Sequence, residues 1–112
     1  MTRPGTLHIV GLGPGDPELM TVRAARIVGC APVVAFFAKR GNPGHARTMV
    51  DGMMAACVEE LRMDYPYTTE VDVADPAYAA GLSTFYAACA ARLAERLATR
   101  DVALLCEGDP LF

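Results

Sequence analysis

Short runs rich in Val, Ile, Leu and Phe alternate along this chain with longer stretches whose apolar residues recur every three to four positions. That order is what an α/β protein with a parallel sheet and flanking helices requires. Residues 6–10 form a compact run that ends in glycine. Residues 18–28 then set Leu19, Val22, Ala25 or Arg26, and Ile27 near helical spacing. The run 31–38 is apolar throughout, as in a strand buried on both faces. Gly and Pro break the chain over 39–45, a helix is expected from His45 to about Cys57, and a weaker strand over 58–63. Across 77–99, Tyr78, Leu82, Phe85, Cys89, Leu93 and Leu97 make a stripe, with Arg92, Glu95, Arg96 and Arg100 around it. Residues 101–107 read as a fourth strand, and GDPLF follows. No helix follows to cover this last strand, so the sequence reads as part of something longer or completed by a partner, with an exposed sheet face that favours self-association.

At 112 residues, 53% hydrophobic and 21% charged, the chain supports one globular domain, and global disorder is excluded. Ten Lys and Arg against thirteen Asp and Glu leave a net charge of −3. A broad electrostatic grip on nucleic acid or on an anionic membrane is therefore not expected, and any anionic ligand must be met locally. Cys30, Cys57, Cys89 and Cys106 stand far apart among apolar neighbours. They read as buried free thiols in a reducing compartment, and no metal site is expected from their spacing or from His8 and His45. The apolar run near the amino terminus is too short for a signal segment or a membrane span, which makes a cytoplasmic location the expectation.

Three Asp-Pro pairs, Asp16-Pro17, Asp75-Pro76 and Asp109-Pro110, stand where helices are expected to begin, because Asp caps free amides and Pro suits the first helical position. Two of them are Gly-Asp-Pro and lie just past the carboxyl end of an expected strand, the edge where open α/β sheets bind ligands. The first belongs to GLGPGD, residues 11–16. A dinucleotide fingerprint would place a third glycine where Asp16 stands; that carboxylate repels phosphate, and Pro14 removes an amide donor from the bend. No Walker sequence follows either. A cationic ligand with hydroxyl and ammonium donors suits such bends better, and S-adenosylmethionine has that character.

LHIVGLGPGDPELMTVRAARIV together with VALLCEGDPLF resembles the tetrapyrrole (corrin and porphyrin) methylase family, and the resemblance spans essentially the whole chain. VVAFFAKRGNPGHAR and DYPYTTEVD are similar to the branch that methylates precorrin-2 at carbon 20 in cobalamin biosynthesis. The resemblance implies a homodimer of two-domain subunits, with S-adenosylmethionine in the cleft between domains. Residues 1–112 would then be most of the N-terminal α/β domain, truncated, with the C-terminal domain absent and little turnover by these residues alone. Carried over by position, the cofactor contacts are Pro14, Glu107, Gly108 and Asp109, with Phe112 in the same loop. Glu107 stands where the relatives that methylate uroporphyrinogen have glycine. Phe37 stands where they have an aspartate regarded as a proton acceptor, so that role does not transfer and the catalytic residues stay unassigned.

A precorrin carries many carboxylates. Lys39, Arg40, His45 and Arg47, in the broken loop after the second strand, are candidate clamps for them, although a solvated basic loop has the same composition. Gly13, Gly15 and Asp16 of the first bend are the other candidate substrate contacts, with capping an equal explanation of Asp16. His8 reads as a packed histidine, Tyr78 and Tyr86 as core or rim, and Met49, Met53 and Met54 as helix packing. Methyl transfer from a sulfonium to carbon is an in-line displacement, to which positioning alone can contribute about 7–11 kcal/mol. The lack of a His-centred dyad is therefore no objection. The competing readings are another tetrapyrrole methylase (acting on uroporphyrinogen III or another precorrin), a relative that methylates the diphthamide precursor, a non-catalytic nucleotide-binding module, and a dimerisation fragment.

Overall fold

The computed structural model describes residues 4–66 and 76–107, with only the backbone described at Tyr78. Within it, four parallel strands form one sheet in the order β1-β4-β2-β3: β1 (Leu7–Gly11), β2 (Val33–Ala38), β3 (Glu59–Asp64) and β4 (Val102–Cys106). Helices α1 (Val22–Cys30), α2 (His45–Met49) and α3 (Pro76–Leu97) connect them. The α/β architecture with flanking helices is the one the periodicity predicts.

Successive strand residues face opposite sides of a sheet, and this divides the core in two. Val34, Phe36 and Ala38 of β2 join Ala103 and Leu105 of β4 against α1 and α2. Val33 and Ala35 of β2 join Val102 of β4 and Leu61 and Met63 of β3 against Cys89, Phe85, Leu93 and Leu97 of α3. From Phe85 to Leu97 the stripe expected on the long helix is thus the face that α3 buries. Each fully buried Val or Leu stabilises the fold by about 1.5–3 kcal/mol. At the edge, β3 covers only one face: Leu61 and Met63 are buried while Glu60 and Asp64 are exposed, which explains its weaker sequence signature.

The helix expected over 18–28 is two pieces. Asp16 Oδ1 accepts the Glu18 amide at 2.9 Å and opens a short 3-10 turn, Pro17–Leu19. The chain then extends through Met20 and Thr21, and Thr21 Oγ1 accepts the Ala24 amide at 3.0 Å to cap α1. The second cap resets the helical phase, so Leu19 and Val22 are 61% and 84% exposed while Ala24 and Val28 are buried. The helix expected from 45 to 57 ends at Met49. Gly52, at φ +78°, breaks helical continuation, and Met53 and Met54 pack on the core from the turns that follow.

Two further expectations are corrected. Cys89 is buried, but Cys30 and Cys57 are exposed and Cys106 is half-buried; apolar neighbours in sequence did not imply burial, because Cys30 ends α1 and Cys57 lies in the turn before β3. The uncovered apolar positions are also not on the last strand. β4 lies between β1 and β2 with Val102 and Ala103 fully buried, whereas Leu7 and Ile9 of the edge strand β1 are exposed. Asp75 and the segment 108–112 lie outside the described residues.

The amino edge of the sheet is tied by polar contacts. Glu59 accepts from Arg96 at 3.0 Å and from Arg100, and these two guanidiniums, Arg100 first, hold its carboxyl below the usual range. Asp101 Oδ1 accepts the Thr6 amide at 2.7 Å, and His8 Nε2 lies 4.0 Å from the other Asp101 oxygen. Gly5 donates its amide to Leu97 O at 2.7 Å.

Candidate functional site

The carboxyl edge of the sheet holds a cavity of about 590 Å³ between the ends of β2 and β4, lined by Phe37, Lys39, His45, Tyr65, Cys106 and Glu107 among others. Strand order alone brings these segments together. β4 inserts between β1 and β2, so Gly11 pairs with Cys106 and the Leu12 amide donates to Cys106 O at 3.0 Å. The first glycine bend therefore begins directly beside Glu107, where the second motif starts.

Within the first bend, Gly13 and Gly15 adopt φ of +82° and +126°, conformations that side chains resist. A Cβ on Gly13 would come 3.3 Å from Leu19 O, and one on Gly15 would come 3.5 Å from His45 Nε2. Gly15 and His45 are thus neighbours across the rim. Pro14 is exposed on the same bend, and the Asp16 carboxylate is used as a cap.

The four expected clamps divide. The Lys39 and His45 side chains line the cavity, and Arg40 is exposed on the loop beside them. Among the described residues none of these three side chains has a hydrogen-bond or ion-pair partner. Arg47 is turned elsewhere: it bonds Glu60 and, at 3.2 Å, Asp51, and it lines a separate surface groove with Pro43 and Arg62. Those two carboxylates, Glu60 foremost, raise its pKa. Gly108, Asp109 and Phe112 lie outside the described residues.

Several residues that shape this cavity were not among the expected site residues. Phe37 stacks on Tyr65 with ring centroids 5.5 Å apart and meets Phe85 and Tyr86 edge-on at 6.0 Å, an aromatic wall between the end of β2 and α3. The Tyr65 amide donates to Ala38 O at 2.9 Å, fixing the residue at the end of β2. Burial first, then Tyr86, Glu107 and Cys106, pushes the Tyr65 phenol up, and burial pushes up the Cys106 thiol. Both hold their protons at neutral pH, and the Tyr65 hydroxyl is hydrogen-bonded with that of Tyr86. Asn42 closes the loop by accepting the Gly44 amide on Oδ1 at 3.0 Å; Asn-Pro-Gly was a legible signal for that turn. Chemically, the cavity is a basic rim of Lys39 and His45 beside one aromatic wall, with the carboxylate of Glu107 just past the end of β4. Such a set suits a ring system that bears carboxylates better than a phosphate ester, for which the first bend, its Pro14 lacking an amide donor, is a poor cradle.

Comparison with known proteins points the same way. Among curated proteins, the precorrin-2 C(20)-methyltransferase of Sinorhizobium sp. is 50% identical over 109 residues, 96% of this chain and 44% of that protein. The cobalamin biosynthesis protein CobIJ of Mycobacterium tuberculosis is 47% identical over 113 residues, 100% of this chain and 22% of that protein. The chain thus spans less than half the length of these relatives. Among solved structures, the cobalt precorrin-4 methyltransferase CbiF superposes with a TM-score of 0.52 at 20% identity over 96% of this chain and 36% of that one, a likeness of fold. The family model for tetrapyrrole (corrin/porphyrin) methylases matches residues 6–112. With the ends of β1 and β4 side by side and that match running through both, the chain belongs to the tetrapyrrole methylases.

Proposed function

We propose that this chain is most of the N-terminal α/β domain of an S-adenosylmethionine-dependent C-methyltransferase that acts on precorrin-2 at carbon 20 in cobalamin biosynthesis. The observation that carries the reading is the 50% identity, over 96% of the chain, to the Sinorhizobium enzyme of that name. The cavity supports it, since Lys39, Arg40 and His45 have no side-chain partner among the described residues and Pro14 removes an amide donor from the first bend. The complete protein is proposed to be a cytoplasmic homodimer with its second domain closing the cleft.

S-adenosylmethionine supplies an electrophilic methyl group on a sulfonium. Pro14 and Glu107, with Gly108, Asp109 and Phe112, would hold it. The Glu107 carboxylate faces a cationic ligand favourably in a partly desolvated cleft. Lys39, Arg40 and His45 bind the carboxylates of the macrocycle and fix its angle to the methyl group. The wall of Phe37 and Tyr65 shields one side from water. Gly13 and Gly15 let the first bend approach the macrocycle closely. Arg47, spent on Glu60 and Asp51, contributes to loop shape, and Asp16 to the cap.

The test is a chimera in which this chain replaces the matching residues of the Sinorhizobium enzyme. Supplied with S-adenosylmethionine and with precorrin-2 formed in situ, it is expected to yield a singly methylated product with the new methyl at carbon 20 by NMR. A folded chimera that methylates uroporphyrinogen III instead, or is stabilised by NAD and not by S-adenosylhomocysteine, would overturn the proposal. The 112 residues alone are expected to turn over weakly or undetectably.

A further inference from the structure

The loop that carries Lys39 to the cavity, and leads to His45, has little reason of its own to hold one shape. It contains two glycines at positive φ, Gly41 (+80°) and Gly44 (+89°), on either side of Asn42-Pro43, and glycine loses the most conformational freedom on ordering. Its internal bonds are the Asn42 amide to Lys39 O at 3.0 Å and the Asn42 side chain to the Gly44 amide.

Two side chains from outside hold it: Thr48 Oγ1 donates to Gly44 O at 2.9 Å where the loop enters α2, and Arg62 bridges its middle. Arg62 lies on β3 opposite Phe36 of β2, and the two-residue period of the strand turns it away from buried Leu61 and Met63. Its Nη2 donates to Lys39 O at 2.9 Å and to Asn42 O, and its Nε donates to Asp64 Oδ1 at 2.7 Å. Two carbonyls three residues apart are thus gripped by one nitrogen, while the carboxylate holds the guanidinium plane. From the opposite side, Arg92 of α3 donates to the Arg62 carbonyl at 3.2 Å. Arg62 lines the surface groove behind the loop and not the cavity, so it touches no ligand.

We infer that Arg62 is a positioning residue, a clamp that fixes the 39–44 loop so that Lys39 and His45 face the cavity together; the ligand side of this inference rests on the carboxylate-binding function proposed above. A planar fork makes these three bonds in fixed directions, which an ammonium on the same stem does not reproduce. The assignment also explains why Arg62 and Arg47, though close to the loop, are neutralised by carboxylates while Lys39, Arg40 and His45 are left free.

The test compares the complete chimera described above, taken as the wild type, with its Arg62→Met, Arg62→Lys and Arg96→Met variants. The last breaks an ion pair to Glu59 at the other end of β3 and controls for general loss of stability. Hydrogen exchange by NMR reads the amides of Asn42 and Gly44, fluorescence reads binding of uroporphyrin III as a stable polycarboxylate tetrapyrrole, and calorimetry reads S-adenosylhomocysteine. Arg62→Met is expected to speed exchange at both amides about tenfold and to weaken uroporphyrin about tenfold, with S-adenosylhomocysteine changed less than twofold. Arg62→Lys is expected to rescue neither, and Arg96→Met to show neither effect. Unchanged loop exchange in Arg62→Met, or an equal response in Arg96→Met, overturns the clamp whatever the ligand data show. Faster loop exchange together with no saturable uroporphyrin binding by the wild type overturns the proposed function and leaves the clamp standing as an element of structure only.

Discussion

The two edges of the sheet are made from similar residues and use them differently. At the amino edge the charges are matched: Glu59 takes both Arg96 and Arg100, and Asp101 caps the entry to β1 through the Thr6 amide. Backbones also approach closely there, since a Cβ on Gly5 would lie 1.8 Å from Arg100 O. At the carboxyl edge three basic side chains have no partner among the described residues, and the bends turn on glycines at positive φ. One edge closes the fold and the other leaves binding capacity unspent. A protein gains nothing in stability from an unpaired cation, so the contrast separates what maintains the molecule from what meets a ligand.

That contrast can be broken in order of expected size. Gly5→Ala drives a methyl group into a carbonyl at the amino edge, and a loss of about 3 kcal/mol or more is expected in urea denaturation; wild-type stability would erase the close approach. Gly44→Ala, at the carboxyl edge, sets a side chain at φ +89° with its Cβ 3.1 Å from that of Ala38, and about 1–2 kcal/mol should be lost in the same measurement. Lys39→Ala and His45→Ala should each weaken uroporphyrin III about tenfold yet move stability by less than about 0.5 kcal/mol. If either melts the fold instead, the edges do not differ as argued.

The smallest effect is that of Glu59→Gln, about 1 kcal/mol or less for a half-exposed ion-pair network. Its sign with pH is definite. The folded carboxyl is lowered from its ordinary 4.5, so its contribution is complete above that value and is lost as pH falls through the lowered folded one. The stability gap between wild type and Glu59→Gln should therefore be constant near neutrality and close in acid, which denaturation across pH would show.

Much of this was legible in local patterns. The strands, the long helix and the Asp16 cap follow from periodicity and capping, each a property of a few adjacent residues. The second cap at Thr21 was legible too but was outweighed by an apparent stripe, and with it went the burial of Leu19 and Val22. The clamp was not legible: Arg62 and Asn42 are 20 residues apart, and a bond between them exists only because β3 pairs with β2 in one register.

The sequence by itself settled the alternation of strand and helix, the first bend and the family resemblance, because dihedral preferences, caps and amphipathic period act over a few residues. Only the tertiary structure decided that β4 enters between β1 and β2, which brings the Leu12 amide to Cys106 O, and which of the loop's cations are spent. Those outcomes depend on which distant groups meet through space, and charge pairing and burial are properties of the partner found, not of the residue alone.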